Sequence, residues 1–252
     1  MSAPTDADRS SVWVPAAVEH LATGRPITLV WLNELGARTF AVGAGTPVLF
    51  VKWMPTAAEA LTGGSNAAER VRLEWAVDYT PVPRLINAGA DEDGSWLVTE
   101  PLMGESAVST RWKSEPEVAV RAVAIGLRAL HDRLPVEACP FSWSVADRLA
   151  GAGVSSADAA ERIGEPPPVD RLVVCHGDAC MPNTLIGPDG SWSAHVDMGR
   201  LGVADRWADI AVGHANIAGN LTPDYQDLFL EAYGVDPDVE RMRYYRELNE
   251  ID

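Results

Sequence analysis

The sequence predicts an α+β protein with two lobes, a small strand-rich N-terminal lobe and a larger helical C-terminal lobe. Short β-rich runs punctuated by glycines occupy the first hundred residues, helical patterns dominate from Glu115 onward, and a connector lies near Glu100–Gly104. We therefore predict an N-lobe over residues 1–99, a connecting segment over 100–105 and a C-lobe over 106–252. A ligand is expected in the cleft between two such lobes.

The N-lobe strands are predicted from runs of β-branched and aromatic residues. Val30–Thr39, Phe40–Val42 and Pro47–Trp53 are runs of this type, punctuated by glycines, and they are typical of an antiparallel meander. Ser95–Thr99 predicts a further strand. Between these strands a helix is expected after Asn66, which would cap it. The apolar residues of its expected buried face recur at helical spacing and are Ala67, Val71 and Trp75.

The C-lobe is predicted to begin with a long helix that ends at about Leu134. Its apolar residues recur every three or four positions, as in Val123, Leu127, Leu130 and Leu134. Three short strands are then expected at Leu172–Cys175, Thr184–Ile186 and Ser193–Val196. Two further helices are predicted from proline at the first helical position, after Thr222 and after Asp236, the former ending at Gly234. Residues 147–170 have no pattern that predicts an element.

The composition excludes several classes of function. The chain of 252 residues is 47% hydrophobic with a formal net charge of −16, so we expect a globular protein that repels nucleic acids and anionic membranes. No apolar run approaches the roughly 20 residues that span a bilayer, and residues 1–11 do not resemble a signal peptide. Three cysteines are too few for a disulfide framework. These features predict a cytoplasmic protein with no obligate protein partner, whose acidity serves either solubility or a cationic substrate.

The strongest chemical signal lies between Val173 and Gly202. His176-Gly177-Asp178 is followed by Asn183, so that a carboxylate and an amide stand five residues apart between two predicted strands. Phosphoryl transfer requires a carboxylate for the proton of the attacking hydroxyl, oxygen ligands for Mg²⁺ and a cation for the phosphates. The spacing therefore predicts Asp178 as the catalytic base and Asn183 as a magnesium ligand.

A second carboxylate, Asp197, ends the third C-lobe strand and precedes Met198-Gly199. It is predicted to be the other Mg²⁺ ligand. Protein kinases carry a comparable pair of motifs, H-R-D-x-x-x-x-N and D-F-G, although here Gly177 replaces the arginine and no A-P-E motif follows. A zinc site or a cysteine protease pair at Cys175-His176 is disfavoured, because the spacing matches no common zinc pattern and adjacent strand residues point to opposite faces.

The phosphate cation is predicted to be Lys52. It lies among apolar residues in the run PVLFVKW, where a lysine is costly unless a carboxylate pairs with it. Glu69, on the following helix, is the candidate partner and Glu59 is the rival. A Lys–Glu pair would hold the ammonium group on the α- and β-phosphates.

These segments resemble the aminoglycoside 3′-phosphotransferase family. HGDACMPN, DMGRLGVADRWADIA and YYRELNEID carry the resemblance in the C-lobe, and PVLFVKW with ERVRLEW carries it in the N-lobe. It covers most of the chain from about Val30 to Asp252. It implies a bilobal protein-kinase-like fold, ATP or GTP as the phosphoryl donor, Mg²⁺ as cofactor and a small cationic antibiotic as substrate.

The resemblance also implies roles for residues outside the catalytic motifs. Thr99–Met103 corresponds to the family's hinge, where Thr99, Glu100 and Leu102 would meet the adenine, and Asn33–Thr39 corresponds to its phosphate-covering loop. Arg200 matches an arginine near the triphosphate and substrate. Asp209 matches a position that we expect to hold the Asp178 loop by hydrogen bonds.

The substrate-binding acids are the point at which the resemblance weakens. Glu250 and Asp252 match the family's acidic C-terminus, but the family's Arg-Asp pair after ADIA is replaced by Ala215 and Asn216, and the acidic insertion before Val173 is short. The 3′-hydroxyl of an aminoglycoside is the expected acceptor. A streptomycin-type 3″-phosphotransferase, a kinase for another small hydroxyl compound and a cation-binding pseudokinase remain the alternatives.

Overall fold

A computed structural model describes residues 13–62 and 65–251, apart from the side chains of residues 60–62. The chain forms two compact units. One comprises the described residues up to Trp75 together with Pro83–Leu102, and the other comprises Ala76–Val82 and the residues from Met103 onward. Within the described ranges, none of the helices has both the length and the apolar composition needed to cross a bilayer.

The first unit is a five-stranded antiparallel sheet with short helices. Its described elements, in chain order, are α1 (Ala16–Ala22), β1 (Ile27–Leu32), β2 (Arg38–Val42), β3 (Leu49–Pro55), α2 (Thr56–Thr62), α3 (Asn66–Ala76), β4 (Leu85–Ala90) and β5 (Gly94–Thr99). The strand order is β1-β2-β3-β5-β4, which confirms the predicted meander. β4 was not predicted because its sequence, LINAGA, has few β-branched or aromatic residues.

One face of this sheet forms the core of the first unit. Phe40, Val51, Trp53 and Val98 point to that face, where Val18 of α1 packs against them. Because side chains alternate along a strand, Lys52 projects from the opposite face. The core therefore fixes which face of β3 presents the lysine.

Helix α3 begins at Asn66, one residue earlier than predicted, and its buried face is different from the predicted one. The hydroxyl of Ser65 caps the helix by accepting from the backbone N–H of Ala68 at 3.1 Å, whereas the Asn66 amide donates to Ser95 of β5. Val71 is 40% exposed, and Glu69 and Leu73 are buried. The expected apolar face was wrong because a charged residue occupies the inner face, where Lys52 neutralises it.

The second unit is predominantly helical. Its described elements, in chain order, are β6 (Glu105–Ser106), α4 (Thr110–Ser114), α5 (Pro116–Arg133), a 3₁₀ turn (Val136–Ala138), α6 (Val145–Gly151), α7 (Ser156–Ile163), β7 (Leu172–Cys175), a 3₁₀ turn (Met181–Asn183), β8 (Thr184–Ile186), β9 (Trp192–His195), β10 (Gly202–Asp205), α8 (Trp207–Asn220), a 3₁₀ turn (Pro223–Tyr225), α9 (Gln226–Tyr233) and α10 (Val239–Leu248). β7 pairs with β10, and β8 lies between β6 and β9.

The long helix α5 confirms the prediction from apolar spacing, since Val123, Leu127 and Leu130 are buried along it. Helix α9 ends at Gly234, which adopts the left-handed conformation expected of a C-terminal glycine. The last helix begins later than predicted, because Asp238 rather than Asp236 caps it by accepting from the Arg241 N–H. Strand β10 and helices α6 and α7 were not predicted.

Candidate functional site

Lys52 and Glu69 form an ion pair in the first unit. The Nζ atom of Lys52 lies 2.5 Å from Oε2 of Glu69, and the two side chains are 19% and 7% exposed. The rival carboxylate, Glu59, instead accepts a hydrogen bond from the Ser95 hydroxyl. Glu69 is therefore the partner of Lys52, as the sequence predicted. The role of this ion pair in binding a nucleotide stays a prediction.

The strand register adds an aromatic residue to the face of the sheet that bears Lys52. Phe50 lies two residues before Lys52 on β3 and is partly buried, and its register partners are Ala41 on β2 and Thr99 on β5. Residues two apart on a strand share a face. Sequence analysis did not identify Phe50, although the alternation of residues around Lys52 could have indicated it.

The predicted hinge residues lie at the end of β5. Thr99 is the last residue of that strand and pairs with Leu85 of β4 as well as with Phe50. The backbone N–H of Glu100 donates to the carbonyl of Arg84, and Leu102 is the last residue of the first unit. Their contact with an adenine stays a prediction.

The catalytic loop leaves β7 through a sharp turn at Gly177. This residue has a φ of 83°, and a Cβ at its position would collide with the carbonyl oxygen of Arg200. Both the left-handed backbone and the close approach favour glycine. They explain why a side chain as large as arginine is not found between His176 and Asp178.

Asp178 and Asn183 contact each other directly. The Nδ2 group of Asn183 donates to a carboxylate oxygen and to the backbone carbonyl of Asp178, each at 3.0 Å. Because the amide nitrogen is used in this way, the Oδ1 atom of Asn183 is the one available to a metal ion. The two residues therefore differ in what they can do: the carboxylate of Asp178 can accept a proton, and the amide oxygen of Asn183 can bind a cation.

Asp197 lies beside this pair through the register of β8 and β9. Thr184 is opposite His195, and the N–H of Val196 donates to the carbonyl of Asn183 at 3.0 Å, so Asp197 follows directly. Its φ of 62° is in the left-handed region, which among residues other than glycine is favoured by aspartate and asparagine.

The Cys180 thiol lies near the carboxylates of Asp178 and Asp197. Burial raises its pKa, and the negative charges of Asp178 and Asp197 raise it further. The structure therefore gathers the two carboxylates and the Asn183 amide around the start of the 3₁₀ turn Met181–Asn183. The hard oxygen donors of Asn183 and Asp197 are of the kind that Mg²⁺ prefers.

His176 links the catalytic loop to the segment that carries Asp197. Its Nε2 atom lies 3.0 Å from the carbonyl of Val196, and its Nδ1 atom accepts from the backbone N–H of Asp178 at 3.3 Å. A carbonyl only accepts and an N–H only donates, so these contacts specify a neutral imidazole protonated at Nε2. The His176 ring thus connects the backbone of Asp178 to the segment that carries Asp197.

Asp209 holds the same loop from α8, as expected. Its carboxylate accepts from the backbone N–H groups of His176 and Gly177 at 2.6 and 2.9 Å and contacts Nε2 of His131 at 3.0 Å. Burial alone would raise the pKa of Asp209, but the hydrogen bond and charge of His131, together with the hydrogen bond from the backbone N–H of His176, hold it below its usual value. The acid is thereby kept ionised inside the protein.

His131, Cys175 and Asp209 lie close enough together to suggest a metal site. Both ring nitrogens of His131 are engaged, however, one with Asp209 and the other with the Tyr233 hydroxyl at 2.8 Å. Burial also raises the pKa of the Cys175 thiol well above its usual range, which disfavours the thiolate that a metal requires. The cluster is a hydrogen-bond network that supports the loop.

Arg200 packs on an aromatic ring. Its guanidinium carbon lies 5.5 Å from the centre of the Trp143 ring, and Arg148 lies 5.2 Å from the same ring. Arg200 makes no ion pair with any carboxylate among the residues that the structure describes. The Arg200 backbone also approaches Gly177 closely, so Arg200 is a neighbour of the catalytic loop.

The predicted substrate acids lie at the end of the chain. Glu250 is exposed and follows α10, with its backbone N–H donating to Glu247. Asp252 is outside the described residues. The role of Glu250 in binding a substrate stays a prediction.

Comparison with known proteins gives consistent matches over most of the chain. Residues 32–245 match the phosphotransferase enzyme family. An aminoglycoside 3′-phosphotransferase of Streptomyces fradiae is 35% identical over 87% of this chain and 92% of its own length. A streptomycin 3″-kinase of Streptomyces griseus is 31% identical over 94% of this chain and 97% of its own.

A solved structure supports the fold class. The crystal structure of an aminoglycoside 3′-phosphotransferase of type VIII matches with a TM-score of 0.74 and 30% sequence identity, covering 94% of this chain and 98% of that one. This likeness confirms the predicted bilobal, kinase-like α+β fold.

Proposed function

Because the chain belongs to the phosphotransferase enzyme family and is related to its aminoglycoside kinases, we propose that it transfers the γ-phosphoryl group of ATP or GTP to a hydroxyl group of an aminoglycoside antibiotic. The 3′-hydroxyl is the favoured acceptor, since the relative of higher identity is a 3′-phosphotransferase. The observation that carries the proposal is the cluster of Asp178, Asn183 and Asp197 around one turn. Modification of the drug would make the host cell resistant.

Asp178 is the base of the proposed reaction. Its carboxylate orients the substrate hydroxyl and accepts its proton as the hydroxyl oxygen forms a bond to the γ-phosphorus. The bond between that phosphorus and the oxygen bridging to the β-phosphate breaks, and the nucleoside diphosphate leaves with the electron pair. Asn183 fixes the orientation of the carboxylate by donating to one of its oxygens.

Asn183 and Asp197 would hold Mg²⁺, which when bound neutralises charge on the phosphate oxygens. Support for this assignment comes from their donor atoms. The Asn183 amide nitrogen is used by Asp178, which leaves its oxygen for a cation. Asp197 supplies a carboxylate from the adjacent strand end.

Lys52 would bind the α- and β-phosphates while Glu69 keeps its ammonium group in place. Phe50, on the same face of the sheet, offers an aromatic surface to a base. Arg200 carries a positive charge that lacks a carboxylate partner among the described residues, and an anionic phosphate would provide one. Thr99, Glu100 and Leu102 would meet the adenine through backbone groups.

The substrate is proposed to be a cation because the chain carries a net charge of −16, and Glu250 and Asp252 are proposed to contact it. The second candidate is streptomycin, with its 3″-hydroxyl as the acceptor. It is favoured by the streptomycin 3″-kinase relative, whose match spans 94% of this chain. Free cysteines at positions 139, 175 and 180 are compatible with the cytoplasm, where the triphosphate is supplied.

A coupled assay of ADP or GDP release tests the proposal. The purified chain is incubated with ATP or GTP, Mg²⁺ and one antibiotic at a time, from a panel of kanamycin, neomycin, streptomycin and choline as a non-antibiotic alcohol. We expect release that depends on a 3′-hydroxyl aminoglycoside and disappears in Asp178→Asn. Release with streptomycin alone would select the second candidate, whereas release with choline alone would refute an antibiotic substrate.

A further inference from the structure

Helix α8 contacts the catalytic loop along one of its faces. Asp209, Gly213 and Asn216 are spaced four and three residues apart, so they lie on a single side of the helix. Asp209 accepts from the N–H groups of His176 and Gly177. A Cβ at Gly213 would be 3.3 Å from the carbonyl of Ala179, and Asn216 accepts from the N–H of Met181 at 2.8 Å. Successive positions of the helix thus contact successive residues of the loop.

The contact at Met181 satisfies a helix terminus. Met181 begins the 3₁₀ turn Met181–Asn183, and Cys180, which precedes it, makes no capping bond with its side chain. The first N–H groups of a helical turn have no partner within the turn. Met181 is 0% exposed, so water does not replace the missing acceptor. The Oδ1 atom of Asn216 takes that place from a different helix.

The orientation of the Asn216 amide is determined by its neighbours. A backbone N–H can bond only to the oxygen of an amide, so Oδ1 must face Met181. Asn220, one turn further along α8, donates its Nδ2 group to the same oxygen at 2.9 Å and to the Asn216 carbonyl at 3.0 Å. Two donors, the Met181 N–H and the Asn220 amide, therefore hold the Oδ1 atom of Asn216 in place.

This capped turn leads directly to the reacting group. The turn ends at Asn183, and the Asn183 amide donates to the Asp178 carboxylate. We infer that Asn216 is a positioning residue for the proposed catalytic base, acting through Met181 and Asn183 without touching the substrate. The inference rests on the proposed function, because it concerns the same carboxylate.

Three variants at position 216 distinguish the effect of the hydrogen bond to the Met181 N–H from the effect of side-chain volume. Asn216→Ala removes the acceptor, Asn216→Leu retains the volume without an acceptor, and Asn216→Asp retains an oxygen that can accept from Met181. Asn87→Ala is the matched control, because the Asn87 side chain also accepts a hydrogen bond, from the Trp96 indole of the first unit, but lies outside the loop.

Steady-state kinetics with ATP and the best antibiotic of the panel provide the first readout. Asn216→Ala and Asn216→Leu should lower kcat about tenfold, since small misplacements of a catalytic group are costly, with the KM for ATP within about twofold. Asn216→Asp should recover most of the loss, and Asn87→Ala should match the wild type. If Asn216→Asp is as slow as Asn216→Ala, or if KM for ATP changes together with kcat, the inference is overturned.

Amide hydrogen exchange of the unliganded protein provides a readout that does not depend on turnover. Exchange at Met181 should accelerate about fivefold or more in Asn216→Ala, as expected for a lost cap, and remain near the wild-type rate in Asn216→Asp. Unchanged exchange in Asn216→Ala would overturn the inference even if the chain is an active kinase. A chain without kinase activity but with accelerated exchange would instead contradict the proposed function.

Discussion

The two units hold their candidate groups in different ways. In the first unit, Lys52 is fixed by a partly buried ion pair with Glu69. In the second, Asp178 is fixed by hydrogen bonds that run through His176 and Asn183. An ion pair tolerates small displacements but depends on both charges, whereas a hydrogen-bond network depends on geometry. Nucleotide binding should therefore be sensitive to the removal of a charge in the first unit, and turnover should be sensitive to changes in the geometry of the catalytic loop in the second.

The largest effect is expected from breaking the ion pair of the first unit. Glu69→Gln retains size but removes the negative charge that faces the Lys52 ammonium group, so the KM for ATP should rise at least about tenfold, with a smaller change in the KM for the antibiotic. Glu74→Gln is the matched control, because Glu74 makes an exposed pair with Arg70 on the same helix. Equal rises in both KM values would contradict a phosphate role for Lys52.

An effect on stability should follow from a change in the shape of the catalytic loop. Gly177→Ala introduces both a left-handed alanine and a collision with Arg200, and should lower the free energy of unfolding by more than the roughly 1–3 kcal/mol of backbone strain alone. Gly153→Ala isolates the strain, because Gly153 has a φ of 67° and open space around it. Urea denaturation of both variants gives the comparison, and equal losses would show that the close contact with Arg200 is unimportant.

The smallest effect concerns the pH dependence of stability near the catalytic strands. Burial lowers the pKa of His195 well below its usual value. Below about pH 6.5 the unfolded chain takes up a proton at this residue that the folded chain does not. The folded state therefore loses stability as the pH falls below that value, by up to about 1.4 kcal/mol per pH unit.

Replacement of the imidazole tests this dependence. His195→Phe should have a flatter slope of unfolding free energy between about pH 6.5 and 5 than the wild type. Denaturant titrations at a series of pH values measure both slopes. If the two slopes are the same, His195 is not protonated on unfolding in the way that its burial implies.

Sequence analysis identified the residues whose spacing is local. Asp178 and Asn183 are five residues apart within one loop, and Asp197 lies two residues after the neighbouring strand β9. Spacing alone does not reveal the supporting contacts, because Asp209 and Asn216 lie 32 and 35 residues further along the chain than their partners in the loop. The Asp209 contact was expected only from the family resemblance, and the Asn216 contact was not predicted. The periodicity of apolar residues in a single sequence predicts helices and strands, but it does not predict which of them will contact each other.

Local signals also failed where a polar residue took an unexpected place. Asn66 follows the rule for a helix cap, yet Ser65 caps α3 and the Asn66 amide bonds to Ser95 instead. Val71 fits an apolar face, yet it is exposed because Glu69 turns inward to Lys52. Both errors arise from the tertiary pairing of the helix with the sheet, which overrides local preference.

The central claim is a division of labour in the second unit, in which Asp178 handles the proton and Asp197 handles the metal. The affinity for ADP in the presence of Mg²⁺, measured by titration calorimetry on Asp178→Ala and Asp197→Ala, tests it directly. We predict that Asp178→Ala binds within about twofold of the wild type although it no longer turns over, and that Asp197→Ala binds at least about tenfold more weakly. Equal affinities in the two variants would contradict the claim.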